Sequence, residues 1–175
     1  MGVRGLDPRG IERLAFGGMA GHETPATRAA ARAGIAFRLH EYEHDPRAAS
    51  YGLEAAEALD VDPARVLKTL VVDRDGAPVV CVLPVAATLD LRALGKRTAL
   101  LDPTRAERIT GYVTGGISPL GQRRALPTLV DASASEHERV LVSAGRRGLE
   151  IELAPADLLA LTGGELRPLT RPARG

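Results

Sequence analysis

Hydrophobic and polar residues alternate along several stretches of the chain, and these stretches predict strands. Residues 35–42 alternate apolar and polar side chains, which is typical of a half-buried strand. The segments 66–73 and 78–83 predict the two strands of a hairpin, because the turn sequence Asp75-Gly76 lies between them. Further short strands are expected at 111–114, 128–131, 139–143 and 149–153.

Capping residues predict where the helices begin and end. Thr24 suits an N-cap, Pro25 the first helical position and Gly34 the end of the same helix. Ser50 is the expected N-cap of a second helix. Shorter helices are expected at 89–94, 103–110 and 155–161, with one helical turn after Asp62-Pro63. Helices at both ends with hairpins between them predict an α/β fold: a single domain whose mixed, largely antiparallel sheet is curved into a barrel-like shape between flanking helices.

Chain length and composition predict one domain and no membrane span. A chain of 175 residues fits one sizeable core, and no apolar run approaches the ~20 residues that a membrane span needs. Residues 1–22 are rich in Gly and Arg and lack a continuous apolar stretch, so they predict a disordered extension rather than a signal peptide. The domain is expected to span 23–170, and 171–175 are expected to be a frayed tail.

Charge and cysteine content limit the partners and the compartment. The net charge of +1 excludes a strongly basic nucleic-acid binder and permits a weak one. Cys81 is the single cysteine, so no intrachain disulfide is possible and a reducing, cytoplasmic location is expected. Because Cys81 lies in the middle of an apolar segment, it is expected to be a buried structural thiol rather than a nucleophile.

The segment from His40 to His44 matches the zinc-protease pattern H-E-x-x-H. That chemistry needs a helix, because only there do residues four apart meet around one metal ion. Here the pattern predicts a strand, in which the two histidines would be roughly 13 Å apart. The expectation is therefore a pair of surface histidines and no metal site.

The segment from Gly116 to Leu120 is similar to a serine-hydrolase elbow but does not fit one. The elbow requires Gly where Leu120 stands, and it requires a backbone N–H after the serine, which Pro119 lacks. Ser118 is therefore rejected as a nucleophile. The pair Gly115-Gly116 either forms a plain tight turn, which the residues alone favour, or presents backbone N–H groups to a carbonyl oxygen.

Lys68 is one of only two lysines in the chain, the other being Lys96. In a strand, Lys68 shares one face with Val66, Leu70 and Val72, and a buried ammonium requires a partner. A lysine in such surroundings either marks a pocket or lays its stem on apolar surface while its amine reaches water. The pattern favours neither alternative.

Two pairs of arginines lie in glycine-bearing loops. Arg123-Arg124 and Arg146-Arg147 could contact phosphate groups in a salt-sensitive way, although solvated surface charge is favoured by these residues alone. Aromatic residues make up 3% of the chain, so stacking on bases is not expected to be its main contact with RNA.

Six stretches, taken in order, resemble the YbaK family of Cys-tRNA(Pro) deacylases, which are related to the editing domain inserted in many bacterial prolyl-tRNA synthetases. The resemblance covers about residues 24–169. The stretches are YEHDP at 42–46, VLKTL at 66–70, LDL at 89–91, TGYVTGGISPLG at 110–121, LPT at 126–128 and VSAGRRGLEIEL at 142–153.

The resemblance implies a set of site residues and a mixed α/β fold around a curved sheet, without a metal or cofactor. The family's essential lysine matches Lys68, and its glycine loop, whose backbone faces the aminoacyl ester, matches Gly115 through Pro119. The residues that it implies for the pocket are Tyr42, Tyr51, Ile117, Ser118, Pro119, Ser143 and Glu150. Tyr51 and Glu150 depart from the family pattern, which has Phe and Asp there, so the role of Glu150 is in question.

The resemblance also implies a reaction, with tRNA(Pro) and prolyl-tRNA synthetase as partners. The substrate cysteine's own thiolate attacks its ester carbonyl, while the protein positions the ester and stabilises the oxyanion through backbone N–H groups near Gly115 and Gly116. Lys68 either orders the substrate and stabilises negative charge or moves a proton. The alternatives are editing of another small residue, such as alanine on tRNA(Pro), and a non-catalytic module that binds tRNA or the synthetase.

Overall fold

The computed structural model describes residues 21–171. Residues 1–20 and 172–175, which include most of the predicted extension and tail, lie outside the described residues. The helices are α1 Pro25–Arg32, α2 Tyr51–Ala58, α3 Pro103–Thr110 and α4 Pro155–Thr162. The strands are β1 Phe37–Glu41, β2 Leu67–Arg74, β3 Ala77–Pro84, β4 Thr98–Leu100, β5 Thr128–Asp131, β6 Val140–Arg146, β7 Leu149–Leu153 and β8 Glu165–Arg167. Short 3-10 turns occupy Pro63–Arg65, Leu91–Leu94 and Ala132–Glu136.

The described strands form two open sheets. One sheet has the antiparallel order β1-β7-β6, and the other has the order β4-β2-β3-β5-β8. In the second sheet β5 lies parallel to both β3 and β8, while β2 is antiparallel to β3 and β4. The prediction of an α/β fold with mixed, largely antiparallel pairing is therefore confirmed.

The expected barrel-like curvature is wrong, and the edge of β2 shows why. The two sheets are joined by an isolated parallel bridge between Val66 and Leu141. On the same side of β2, the short strand β4 pairs with Val72 to Arg74. The Leu101 N–H also donates to the Val71 carbonyl at 2.9 Å, so the edge of β2 from Leu67 to Leu70 lies between two partners that do not meet, and the sheets stay open.

The helix starts follow the predicted caps. The Thr24 hydroxyl accepts a hydrogen bond from the Thr27 N–H at 3.1 Å, and the Thr27 hydroxyl accepts one from the Thr24 N–H at 2.8 Å, with Pro25 at the first helical position. The Ser50 hydroxyl accepts a bond from the Leu53 N–H at 3.4 Å and begins α2. Each cap satisfies an N–H that the helix itself leaves without an acceptor.

The segment 111–114 is not the predicted strand. Gly111 ends α3 in the left-handed region with φ 81°, which turns the chain away from an extended path. Tyr112 is buried, and its hydroxyl donates to the Leu120 carbonyl at 2.6 Å, so the segment folds back across the following loop.

Alternation along β7 decides which side chains reach the site. Leu149, Ile151 and Leu153 are fully buried in the main core, which also contains residues of α1, α3 and β6. Glu150 and Glu152 point to the opposite face of the same strand and are buried as well. Within residues 21–171, no helix is long and apolar enough to cross a membrane.

Candidate active site

A cavity of about 380 Å³ lies beside the open edge of β2. Residues 66–71, the start of α2, the loop 114–117 and the first sheet contribute to its wall. Six of the predicted catalytic and substrate-binding residues line it together: Tyr51, Lys68, Gly115, Ile117, Ser143 and Glu150. The fold therefore brings residues of α2, β2, the loop after α3, β6 and β7 to one place.

Lys68 lines this cavity and points its ammonium at backbone oxygens. Its Nζ donates to the Val85 carbonyl at 3.2 Å and to the Ala87 carbonyl at 2.6 Å. Burial lowers the pKa of Lys68 from its usual range. An ammonium has three protons, so one remains for a ligand oxygen. The pocket alternative for Lys68 is the one that the structure favours.

Glu150 is a buried acid on the cavity wall. Among the described residues, no group donates a hydrogen bond to its carboxyl, and burial raises the pKa of Glu150 to about 8. The carboxyl is therefore largely protonated at neutral pH and can donate one hydrogen bond. Ser143 is its partner across β6 and β7, and the Ser143 hydroxyl accepts a bond from the Gly145 N–H at 3.2 Å.

Tyr42 is not part of the cavity wall, although it is close enough to Glu150 to be affected by its charge. Its pKa is raised to about 12, first by burial and then by the negative charges of Glu150 and Glu54. The phenol therefore stays protonated at neutral pH. The Tyr42 N–H donates to the Gly148 carbonyl at 3.0 Å, which fixes the strand end to the β6–β7 turn.

Positions 115 and 116 leave little room for a side chain. Gly115 has φ 84°, and a Cβ there would lie 2.8 Å from the Tyr51 ring. A Cβ on Gly116 would lie 3.0 Å from the Arg146 Cα. Close packing against the aromatic ring and the β6–β7 turn thus sets the path of this loop.

The N–H groups of the loop are not all available to a ligand. The Gly116 N–H already donates to the Val113 carbonyl at 2.9 Å. Among the described residues, the N–H groups of Gly115 and Ile117 have no acceptor, and both residues line the cavity. The sequence analysis expected donors near Gly115 and Gly116, and the geometry favours Gly115 and Ile117.

Ser118 and Pro119 do not line the cavity. Ser118 is fully buried, and its hydroxyl accepts a hydrogen bond from the Leu120 N–H at 3.2 Å. Its carbonyl accepts one from Gln122 Nε2 at 2.9 Å. Substrate contact by Ser118 and Pro119 stays a prediction, and the position of the loop gives it no support.

Thr69 also lines the cavity and was not predicted as a site residue, although its side chain alternates with that of Lys68 along β2. Its hydroxyl oxygen is buried and has no hydrogen-bond partner. The cavity wraps around the open edge of β2, so side chains from both faces reach it. A buried hydroxyl without a partner is costly, which makes Thr69 a candidate contact for a ligand.

The four arginines proposed for tRNA contact differ in their surroundings. Arg147 donates through Nε and Nη2 to the Thr114 carbonyl at 3.0 and 2.7 Å. Arg146 Nη2 donates to Glu41 at 3.0 Å, and Arg123 Nη1 donates to the Arg108 carbonyl at 3.4 Å. Arg124 is exposed, and its side chain makes no hydrogen bond or ion pair with the described residues. A role in tRNA binding stays a prediction for all four.

The two histidines of the H-E-x-x-H segment have different acidic partners. His40 lies in β1, as the strand prediction required, and its Nε2 is 2.8 Å from Glu152. His44 Nδ1 is 2.9 Å from Glu54. Neither ring is directed at a shared metal position, and residues 21–171 contain no group of three side chains that could hold a metal ion.

Comparison with known proteins supports a single family. The model of the aminoacyl-tRNA editing domain matches residues 45–161. EbsC of Enterococcus faecalis (strain ATCC 700802 / V583), whose name describes it as a Cys-tRNA(Pro)/Cys-tRNA(Cys) deacylase, is 40% identical over 121 residues, covering 66% of this chain and 74% of EbsC. The family resemblance predicted from the sequence is thereby confirmed.

Solved structures share the fold. A crystal structure described as a trans-editing enzyme for prolyl-tRNA synthetase has a TM-score of 0.74 at 24% identity, over 86% of this chain and 99% of its own. The hypothetical protein APE2540 has a TM-score of 0.75 at 24% identity, over 85% of this chain and 100% of its own.

Proposed function

The chain belongs to the family of aminoacyl-tRNA editing domains, and on that premise we propose that it cleaves the aminoacyl ester of mischarged Cys-tRNA(Pro) in trans. The observation that carries the proposal is the cavity between Lys68 and Gly115, where an ammonium proton and a free backbone N–H lie on the same wall. Such donors suit an ester carbonyl that gains negative charge during the reaction.

The cavity lacks an activated nucleophile, which favours a reaction that uses the substrate's own thiol. No histidine or cysteine is among its lining residues, and Cys81 is buried elsewhere with a pKa raised to about 11 by burial. The substrate thiolate would attack the ester carbonyl carbon to form a C–S bond. The ester C–O bond would then break, the departing tRNA oxygen would take up a proton equivalent to the one lost when the thiolate formed, and a cyclic thiolactone would be released.

Each wall residue has a proposed task. The third proton of Lys68 contacts an ester or tRNA oxygen, and the N–H groups of Gly115 and Ile117 stabilise the oxyanion. The neutral carboxyl of Glu150 donates a hydrogen bond to the substrate. Because it is protonated, this part of the cavity wall carries no negative charge. Whether Lys68 also moves a proton depends on its lowered pKa.

The size of the cavity supports recognition of the aminoacyl end alone. About 380 Å³ is near the lower limit for small-molecule sites, so the remainder of the tRNA would lie outside it. With a net charge of +1, we propose that prolyl-tRNA synthetase is a partner that helps to hold the tRNA. A chain with these partners would act in the cytoplasm, which is the location that we propose.

The test is deacylation of Cys-tRNA(Pro), Ala-tRNA(Pro) and Pro-tRNA(Pro), each with and without prolyl-tRNA synthetase. Selective loss of cysteine, with thiolactone or its hydrolysis product recovered, is the expected result. Selective loss of alanine would keep the editing activity and change the substrate. If no ester is cleaved even with the synthetase present, while tRNA still binds, the chain is a binding module.

A further inference from the structure

Arg147 is outside the cavity wall and yet holds one of its peptides. Its guanidinium donates two hydrogen bonds to the Thr114 carbonyl, at 3.0 and 2.7 Å. The guanidinium carbon also lies 5.1 Å from the centroid of the Tyr51 ring, which is a cation–π contact. Since Tyr51 and Thr114 both line the cavity, Arg147 connects two parts of the wall from outside.

The Thr114 carbonyl and the Gly115 N–H belong to the same peptide group. The described residues contain no cis peptide bond, and in a trans peptide the N–H points opposite to the C=O. Because Arg147 holds the C=O from outside the cavity, the N–H is directed away from Arg147. The preceding peptide is restrained as well, since the Thr114 N–H donates to Glu107 Oε1 at 2.7 Å.

The charge on Arg147 also strengthens this N–H as a donor. A hydrogen bond accepted by a carbonyl polarises its peptide, and bonds from charged donors do so more strongly than neutral ones. The neighbouring Gly116 N–H is already used by Val113. The Gly115 N–H is therefore the donor at this position that remains for a ligand.

We propose that Arg147 is a positioning residue that orients and polarises the Thr114–Gly115 peptide, so that the Gly115 N–H is presented to the aminoacyl ester. This inference rests on the proposed deacylase function. In this proposal the main task of Arg147 is to hold the Thr114 carbonyl, rather than to contact a phosphate group of the tRNA. Two of its donors are committed to Thr114, and Gly116 packs against the backbone of the same turn.

The test compares Arg147→Lys and Arg147→Ala with matched variants Arg167→Lys and Arg167→Ala. Arg167 is an exposed arginine whose Nε is 2.9 Å from Glu165, on the edge strand β8 and outside the cavity wall. Two quantities are measured: kcat and KM for Cys-tRNA(Pro) deacylation at several salt concentrations, and amide hydrogen exchange over residues 113–117.

Both Arg147 variants are expected to lower kcat by roughly 10- to 100-fold, below the ~10²- to 10³-fold cost of removing an oxyanion donor, with KM within about 2-fold. Lysine does not rescue, because it cannot make the paired bonds to one carbonyl. Exchange over 113–117 is expected to rise in both Arg147 variants and in neither Arg167 variant.

Three results would overturn the inference. A raised KM with unchanged kcat, a smaller salt dependence and rescue by lysine would assign Arg147 to phosphate binding. Unchanged kinetics would remove it from the site. If the wild type cleaves no ester, the proposed function fails instead, and hydrogen exchange still decides on Arg147: unchanged exchange over 113–117 would contradict its hold on the peptide.

Discussion

Replacing Gly115 with alanine should disturb the site through two separate effects. The residue has φ 84°, a conformation that costs an L-residue about 1–2 kcal/mol. The new Cβ would also lie 2.8–2.9 Å from three carbons of the Tyr51 ring, well inside the ~3.5 Å of ordinary carbon contact. Because Tyr51 is partly exposed, its ring can move outward, and the added cost should be about 1–3 kcal/mol.

Gly34→Ala separates the two effects. Gly34 has φ 67°, and a Cβ there would meet no atom within 4 Å, so this variant should lose only about 1–2 kcal/mol of unfolding free energy. Urea unfolding should then show a larger loss for Gly115→Ala. Adding Tyr51→Ala should cancel most of the difference, because the double mutant removes the clash and keeps the strained φ.

Deacylation should be affected by Gly115→Ala and not by Gly34→Ala. The first variant displaces the loop that carries the free N–H, so we expect a loss of at least ~10²-fold in kcat. If Gly115→Ala is as stable as Gly34→Ala and remains active, the packing of this loop on Tyr51 does not hold the site in shape.

Three further predictions concern single side chains. Lys68→Met keeps the apolar stem and removes the ammonium, so kcat should fall at least ~10²-fold while circular dichroism stays unchanged; an active variant would exclude Lys68. Glu150 has a pKa raised from 4.5 to about 8, so its stabilising contribution is complete below pH 4.5 and is lost as pH rises to 8. The free energy of unfolding of the wild type, measured with urea and compared with that of Glu150→Gln, should fall by a few kcal/mol over that interval, at about 1.4 kcal/mol per pH unit. Equal pH dependence of this free energy in the two proteins would contradict the prediction. The buried Cys81 thiol, with its pKa raised to about 11, should react with a thiol reagent only at the rate of unfolding, and rapid labelling of native protein would show that it is accessible.

Local features of the chain were predictable because their causes are local. The caps at Thr24 and Ser50 predicted the starts of α1 and α2 correctly. In each cap the side-chain oxygen accepts a hydrogen bond from the backbone N–H three residues later, and this bond depends on no distant part of the chain. The strands β5 and β7 begin and end where alternation and turn residues placed them.

Pairing between distant strands was not predictable from such patterns. β4 and β8 have three residues each, too few for alternation to be visible. The barrel-like expectation failed for the same reason, because closure depends on whether β4 and β6 meet along the edge of β2. The sequence of β2 contains no pattern that predicts the gap between β4 and β6.

The site was predictable in part. Alternation left Lys68 between a pocket and a surface position, and the family resemblance supplied its role together with Glu150 and the glycine loop. The hold of Arg147 on the Thr114 carbonyl was not visible, because a side chain bonds a backbone group 33 residues away. Thr69 was missed because it reaches the cavity wall only where the fold leaves the edge of β2 open, and residue patterns do not show such an edge.

The most direct test of the account is the rate at which cysteine is released from Cys-tRNA(Pro) by the wild type and by Lys68→Ala, with Pro-tRNA(Pro) as the correctly charged reference. The account predicts rapid release by the wild type, a rate close to uncatalysed hydrolysis for the variant, and no release of proline. Equal rates for wild type and variant, or release of proline as fast as cysteine, would contradict it.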